Sequence, residues 1–294
     1  MKLLASRHID KRKWDQMVAS DAHLDFFSLS WVWDILHPNW EMLCDDDGTY
    51  LGILPKGSKF GLSYRLQPFF IRSLNFKTSA SVSLSEINSF ISGSASYVHV
   101  NLPLDTEVHS MRMGQFQQLD LSPNLLEIRN AFSTNSKRIL KKIPPSFELE
   151  GMDSSRDFVS FFKHQKGEEL KGFSSKVWSR LLDLLEQTQQ HELLSIYSVK
   201  EKNEVIAAGA FISFKGTCFF LKGTATPEAK KQGAMYFLLD EVIAKIESTH
   251  HNLDFVGSNN ESIAQFYRKF GAIDMPYGIL KQNNLPAMLR LLKS

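Results

Sequence analysis

Residues 253–277 read LDFVGSNNESIAQFYRKFGAIDMPY, and the fold turns on how this stretch is divided. Residues 253–256 are a short apolar run suited to a buried strand, and Gly257 with Ser258 marks a turn. Ser258 precedes Glu261 by capping-box spacing, which predicts that the hydroxyl takes a backbone N–H at a helix start while the carboxylate reaches back. Ile263, Phe266, Tyr267 and Phe270 then share one apolar helix face, and Gly271 sits where a left-handed C-cap belongs. On that face Tyr267 alone carries a polar tip.

Upstream, residues 147–152 read as a strand and residues 155–167 and 176–191 as helices. Three strands follow at 193–200, 205–214 and 217–225, joined by connections of the length antiparallel hairpins favour. A helix at 233–247 leads into the opening stretch; a strand at 278–281 and a short helix from Pro286 close the chain. This order resembles the acetyltransferase fold known as GNAT. The resemblance implies that strand 217–225, loop 226–232 and the helix from Gly233 hold the pantetheine and pyrophosphate of acyl-coenzyme A. In the loop TPEAKKQGA, Lys230 takes the Arg place of the family's R/Q-x-x-G-x-G/A, Gly233 the first Gly, and Met235 a place where a small residue is usual. Lys230, Lys231, Gln232, Gly233 and Ala234 are thus the implied cofactor-binding residues. Asn259, Ala264, Tyr267 and Gly271 resemble a second family pattern, in which the tyrosine often protonates the leaving thiolate; it makes Tyr267 and Asn259 the catalytic candidates, against a core tyrosine and a helix-capping asparagine as the plain alternatives.

The first half is less regular. A strand at 3–9, a helix at 10–20, an aromatic helix at 26–36 and a hairpin at 40–43 and 50–54 are expected, with Asp45-Asp46-Asp47-Gly48 as a turn rather than a metal site. Residues 62–76 carry Arg65, Gln67 and Arg72 among aromatics, and Pro68 predicts an edge or a covering loop. A helix at 84–91 and strands at 97–102 and 116–121 follow. Residues 125–143 read as one helix with Lys137, Arg138, Lys141 and Lys142 on its polar side, a solvated face or an anion contact, and Pro144-Pro145 ends it.

The phrases LQPFFIRSLNF (66–76), STNSKRILKK (133–142) and DFVGSNNESIAQFYRKFGA (254–272) resemble the Fem-type group, tandem GNAT-fold proteins related to enzymes that move amino acids from aminoacyl-tRNA onto peptidoglycan precursors. The fold expected is therefore α/β (α+β), with two GNAT-like half-domains, each a mixed, mostly antiparallel sheet flanked by helices. Residues 1–124 would form the first, 125–145 a basic connecting helix and 146–294 the second. The resemblance implies acyl-CoA or aminoacyl-tRNA as co-substrate, a small-molecule or cell-wall precursor acceptor, and tRNA as a candidate partner.

At 294 residues, with 43% apolar and 22% charged residues, the chain suits two soluble domains. No run reaches the roughly 18 apolar residues of a membrane span, and the first residues are too polar for a signal peptide, which points to the cytoplasm. Cys44 and Cys218 form no metal-ligand spacing, so neither disulfide nor metal is expected. A net charge of +2 leaves anion binding to local clusters. Lys222, the one charge in an apolar strand, joins Arg65 and Arg138 as candidate substrate contacts. Asp254 is a candidate base or, more simply, an exposed strand end. Three readings stand: an N-acyltransferase passing an acetyl or aminoacyl group to an amine; a catalytically inactive relative binding a nucleotide-sugar, peptidoglycan precursor or RNA; and a structural scaffold.

Overall fold

Asp10 opens the first helix by accepting the Lys13 amide with its carboxylate (3.0 Å), the N-cap contact that short acidic side chains supply. The computed structural model describes residues 1–78, 82–104, 112–170, 172–257 and 259–286. Contacts divide the chain into two units, residues 1–114 with 276–294, and residues 115–275.

The first unit contains β1 (Lys2–Ala5), α1 (Lys11–Ser20), α2 (Ser30–Leu36), β2 (Trp40–Cys44), β3 (Tyr50–Pro55), β4 (Gly57–Lys59), β5 (Leu62–Leu66), α3 (Leu84–Gly93) and β6 (Tyr97–Leu102). Its buried indoles are satisfied as buried Trp requires: Trp14 Nε1 donates to the Ser28 carbonyl at 2.7 Å and Trp33 Nε1 to that of Phe27 at 2.8 Å. Residues 26–36 are not one helix. Asp25 caps a single 3-10 turn, Phe26–Ser28, and Leu29 is extended (ψ 137°) before α2 begins. The aspartates between β2 and β3 serve the turn: Asp45 accepts the Thr49 amide at 2.7 Å, and Gly48 takes φ +88°. Residues 62–66 form β5, paired in parallel with β6.

The second unit adds β7 (Arg112–Asp120), α4 (Leu125–Ala131), α5 (Thr134–Leu140), β8 (Phe147–Gly151), α6 (Ser155–Lys166), α7 (Ser175–Gln190), β9 (Leu194–Glu201), β10 (Glu204–Phe214), β11 (Thr217–Ala225), α8 (Pro227–Gln232), α9 (Ala234–Ile246), β12 (Asn252–Asp254), α10 (Glu261–Arg268) and β13 (Ile273–Asn283), whose last residues return to the first unit beside β6. Its strands run in the order β7-β12-β11-β10-β9-β8. Of the pairs between these six strands, among the described residues, only β11–β12 is parallel. Phe211, Phe220, Leu238, Leu239, Val242, Leu253, Phe255 and Phe270 lie in one core.

The expected helix 125–143 is two. Phe132 turns extended (ψ 144°) and the Ser133 hydroxyl accepts the Ser136 amide, restarting the chain as α5; a serine that caps its own backbone competes with an uninterrupted helix. Ile128 and Phe132 are buried in the second unit's core, with Ile143 packed against it, so this basic segment docks there. Loop 226–232 is also helical. Thr226 caps α8 by accepting the Ala229 amide, Pro227 stands at its first turn, and Gly233 ends it with φ +88°. A Cβ on Gly233 would lie 2.6 Å from Ile139 Cγ2. Gly233→Ala therefore combines a left-handed backbone with a clash and should cost about 2 kcal/mol, read as a lower denaturant midpoint at constant slope.

Ser258 lies outside the described residues. The N-cap of α10 is Asn260, whose side chain accepts the Ser262 amide. Gly271 takes the left-handed conformation expected of it, φ +85°. The terminal helix expected from Pro286 falls on 287–294, also outside the described residues.

Candidate active site

Two strands that separate make the site. β11 and β12 pair for three residues, Thr217 with Asn252, Cys218 with Leu253 and Phe219 with Asp254. Beyond them the Phe255 amide bonds to the Gln117 carbonyl of β7 at 3.0 Å, and Val256 (φ +57°) and Gly257 (φ +96°) turn the chain away. Asp254 anchors that turn by accepting the Val256 amide at 2.7 Å. It is 3% exposed, where the sequence suggests an exposed strand end. On the other side β11 bulges: Ala210 pairs with Lys222 and Phe211 with Phe220, leaving Leu221 over. Bulges twist a strand and re-aim its side chains, and they recur beside active sites.

The gap holds an open cavity of about 310 Å³. Phe220, Gly223 and Thr224 of β11 line it, with Met235 and Tyr236 of α9, and Ser262, Ile263, Phe266 and Tyr267 of α10. Lys166, closing α6, and Lys230 of α8 stand in the same lining. The volume lies at the lower end of small-molecule sites, about 300–1,000 Å³, which suits the acyl end of a carrier better than a whole dinucleotide.

Tyr267 is held by its ring. It stacks on Phe255 at 4.2 Å between centroids and 17° between planes, and meets Phe220 edge-on at 6.2 Å. Among the described residues its hydroxyl has no hydrogen-bond partner. Burial pushes the phenol well above its usual pKa, so the proton stays on at neutral pH and the hydroxyl is available as a hydrogen-bond donor. Behind it, the Ser133 amide and Ser136 hydroxyl both donate to the Lys269 carbonyl, at 2.9 and 3.0 Å, satisfying an otherwise orphaned helix-end acceptor. Arg129 grips Asp240 of α9 through two bonds of 2.8 and 2.9 Å.

Of the candidate residues in the second unit, the cavity gathers Lys230 and Tyr267. Lys231 and Gln232 are exposed on α8, and Gly233 and Ala234 are buried where α8 meets α9. Asn259 Oδ1 accepts the Gln115 amide at 3.1 Å. Lys222 is half-buried on β11, with burial holding its ammonium below the usual lysine value; neither it nor Asn259 lines the cavity. Arg138 is exposed on α5 and bonds Asn135 at 2.9 Å. Arg65 lies in the first unit, 3% exposed. There it gives Nε to Ser94 Oγ, one terminal nitrogen to the Pro55 carbonyl and the other to Glu41, at 2.7, 2.8 and 3.0 Å. Sequence reasoning misses Lys166 and Phe255, which it places only within a helix, 155–167, and within a buried strand, 253–256. Cys218 is buried and its thiol pushed up to about 12 by desolvation, which makes it inert as a nucleophile.

Residues 128–267 match the family model described as an acetyltransferase (GNAT) domain. The structure aligns with FemX over 100% of both chains at a TM-score of 0.68 and 11% identity. The fold is a tandem GNAT fold resembling FemX. A tandem GNAT protein of the clavulanic acid biosynthesis pathway aligns over 97% of this chain and 99% of its own, with a TM-score of 0.52 and 9% identity. The C-terminal domain of a putative lysylphosphatidylglycerol synthetase from Agrobacterium fabrum covers 96% and 95%, at 0.55 and 11%. At such identities the likeness speaks for the GNAT fold alone. No curated protein matches the sequence. Among the described residues, no helix is long and apolar enough to cross a membrane, and no group of three or more His, Cys, Asp or Glu is placed to hold a metal.

Proposed function

We propose that the second unit is an N-acyltransferase site that passes an acetyl or aminoacyl group from a thioester or ester carrier to an amine. The observation that carries this is the unpartnered Tyr267 hydroxyl in the wall of an apolar cavity. The acyl end of the donor enters between β11 and α10, and the carrier's phosphates remain outside by Lys230 and the α8–α9 junction. A neutral amine attacks the carbonyl, a C–N bond forms, the C–S or C–O bond to the carrier breaks, and the nitrogen releases its extra proton to solvent. The departing sulfur or oxygen takes up negative charge, and Tyr267 donates a hydrogen bond or its proton there. Proton transfer is favoured only where the leaving group is as poorly solvated as the phenol itself.

The acceptor is an amine, and a peptidoglycan precursor is the class to try first, in keeping with the resemblance to the Fem group. The deciding test supplies acetyl-CoA and, separately, aminoacyl-tRNA, each with amine acceptors, and follows free thiol or deacylated tRNA together with the acylated amine. Absence of any calorimetric signal at millimolar acetyl-CoA would remove the coenzyme A version. Binding of both donors without turnover over any acceptor would favour the inactive, ligand-binding reading.

A further inference from the structure

The separation of β11 from β12 leaves one amide to be satisfied elsewhere. Along a strand successive amides turn to opposite neighbours, and the Phe255 amide bonds to β7 through the Gln117 carbonyl. The next amide, that of Val256, is therefore turned toward β11, whose register with β12 ends at Phe219 and Asp254. Asp254 Oδ1 takes it instead, at 2.7 Å. The carboxylate thus does what a carbonyl of β11 does where the ladder continues, and as a charged acceptor it holds the amide more strongly. The turn that follows is a strained one. Val256 is β-branched and takes φ +57°, a conformation such residues avoid and keep only where their surroundings fix it. Asp254, 3% exposed and paired on one side with Phe219 and on the other with Gln118, gives that turn a rigid footing. Between the footing and the turn stands Phe255, on whose ring Tyr267 stacks at 4.2 Å and 17°.

We propose that Asp254 is a positioning residue of the site: by taking the amide that β12 withdraws from β11, it keeps the two strands apart and fixes Phe255 where the Tyr267 ring rests. Its value to the reaction rests on the acyltransferase reading, but the placement of Phe255 and Tyr267 does not. The role differs from that of the general base the sequence allows, because an acceptor oxygen suffices and no proton is exchanged. Asp254→Asn retains such an oxygen, Asp254→Ser offers a weaker one, and Asp254→Ala offers none.

The experiment compares these three variants of the full chain with wild type, alone and combined with Tyr267→Phe. Amide hydrogen exchange at Val256 should quicken about tenfold in Asp254→Ala, the loss of one charge-assisted bond, less in Asp254→Ser and little in Asp254→Asn. The ring-proton shifts of Tyr267, assigned by their absence in Tyr267→Phe, read the stack on Phe255 without turnover and should move in the same order. In the transfer assay kcat should fall about tenfold in Asp254→Ala through misplacement of the phenol, with KM for the donor little changed, and Asp254→Asn should recover most of it. In the Tyr267→Phe background the same substitution should slow the reaction hardly further, since the group it positions is gone. The drop in denaturant midpoint should be the same in both backgrounds. Equal rate losses in both backgrounds would make Asp254 structural only, and an Asp254→Asn chain as slow as Asp254→Ala would make it the base; either overturns the proposal. So would unchanged exchange at Val256, or unmoved Tyr267 shifts, in Asp254→Ala, whatever the assay shows. Should Asp254→Ala fail to fold, Asp254→Ser carries the same comparisons. If exchange and shifts follow the expected order while no donor turns over, this inference stands and the acyltransferase reading falls.

Discussion

Tyr267→Phe should lower kcat about 100-fold in any acyl-transfer assay the wild type supports, with KM for the donor nearly unchanged. General-acid assistance contributes about 10²–10⁴-fold, and the lower end suits a phenol whose burial makes it reluctant to give up its proton. The variant keeps the ring, hence the stack on Phe255 at 4.2 Å. It removes a hydroxyl without a partner among the described residues, and deleting an unsatisfied polar atom is neutral or stabilising. Thermal stability at neutral pH should therefore hold or rise as activity falls. Linkage adds a check independent of turnover. The folded chain retains this proton above pH about 10, where the unfolded chain sheds it. A raised folded-state pKa gives stability that is present below the unfolded value and lost as pH climbs past it, so wild type should weaken relative to Tyr267→Phe between pH 10 and 11. Unchanged turnover in the variant would leave Tyr267 a packing residue.

Arg65→Ala should destabilise the first unit by about 3 kcal/mol, because it removes one of the two cations on a mostly buried carboxylate and takes the donor from two further acceptors. Its partner Glu41 has a side chain 12% exposed. Burial alone would push the Glu41 carboxyl up, but bonds from Lys56 and Arg65 hold it below the usual carboxylate range. With Arg65 gone, only the Lys56 bond at 2.7 Å remains, and the Pro55 carbonyl and Ser94 hydroxyl each lose a donor. Replacing both charges, as Arg65→Met with Glu41→Leu, should recover much of the loss, since apolar side chains of similar volume often match a buried ion pair. Denaturant melts of the three proteins decide it. An Arg65→Ala chain as stable as wild type, with a raised KM, would instead make Arg65 a substrate contact.

Local patterns carried much of the second unit. β9, β10 and β11 lie within a residue or two of expectation because short polar turns at Lys202-Asn203 and Lys215-Gly216 separate apolar runs, and these residues take the positive φ that hairpin turns demand. The site region was legible where spacing sets it: Tyr267 on the apolar face of α10, and Gly271 as the left-handed residue just past its C-cap, Lys269. The helix α8 had a readable signal, Thr226 followed by Pro227, which is N-cap and first-turn chemistry, masked by the resemblance of the same residues to a phosphate loop. What no spacing reveals is partnership across long separations. The break at Phe132–Ser133 pays off only against a carbonyl at Lys269, the ion pair of Arg65 waits on Glu41, and the burial of Asp254 depends on the path of β7. Propensity sees none of these, because tertiary contacts decide them.

The carbonyl of Lys269, held by Ser133 and Ser136, joins positions as much as 136 residues apart, and this sets an order of assembly. Closing so long a loop costs chain entropy that local contacts must first offset. During synthesis the strands β8 to β11 and helix α9 can form and bury their apolar faces before α10 exists. Helix α10, eight residues long, is too short to persist alone in water, so it folds only on docking against the waiting core and its serine clasp. Tyr267 thus reaches its place among the last parts of the unit, and a nascent chain stalled short of residue 269 would hold the cavity's floor without its α10 wall.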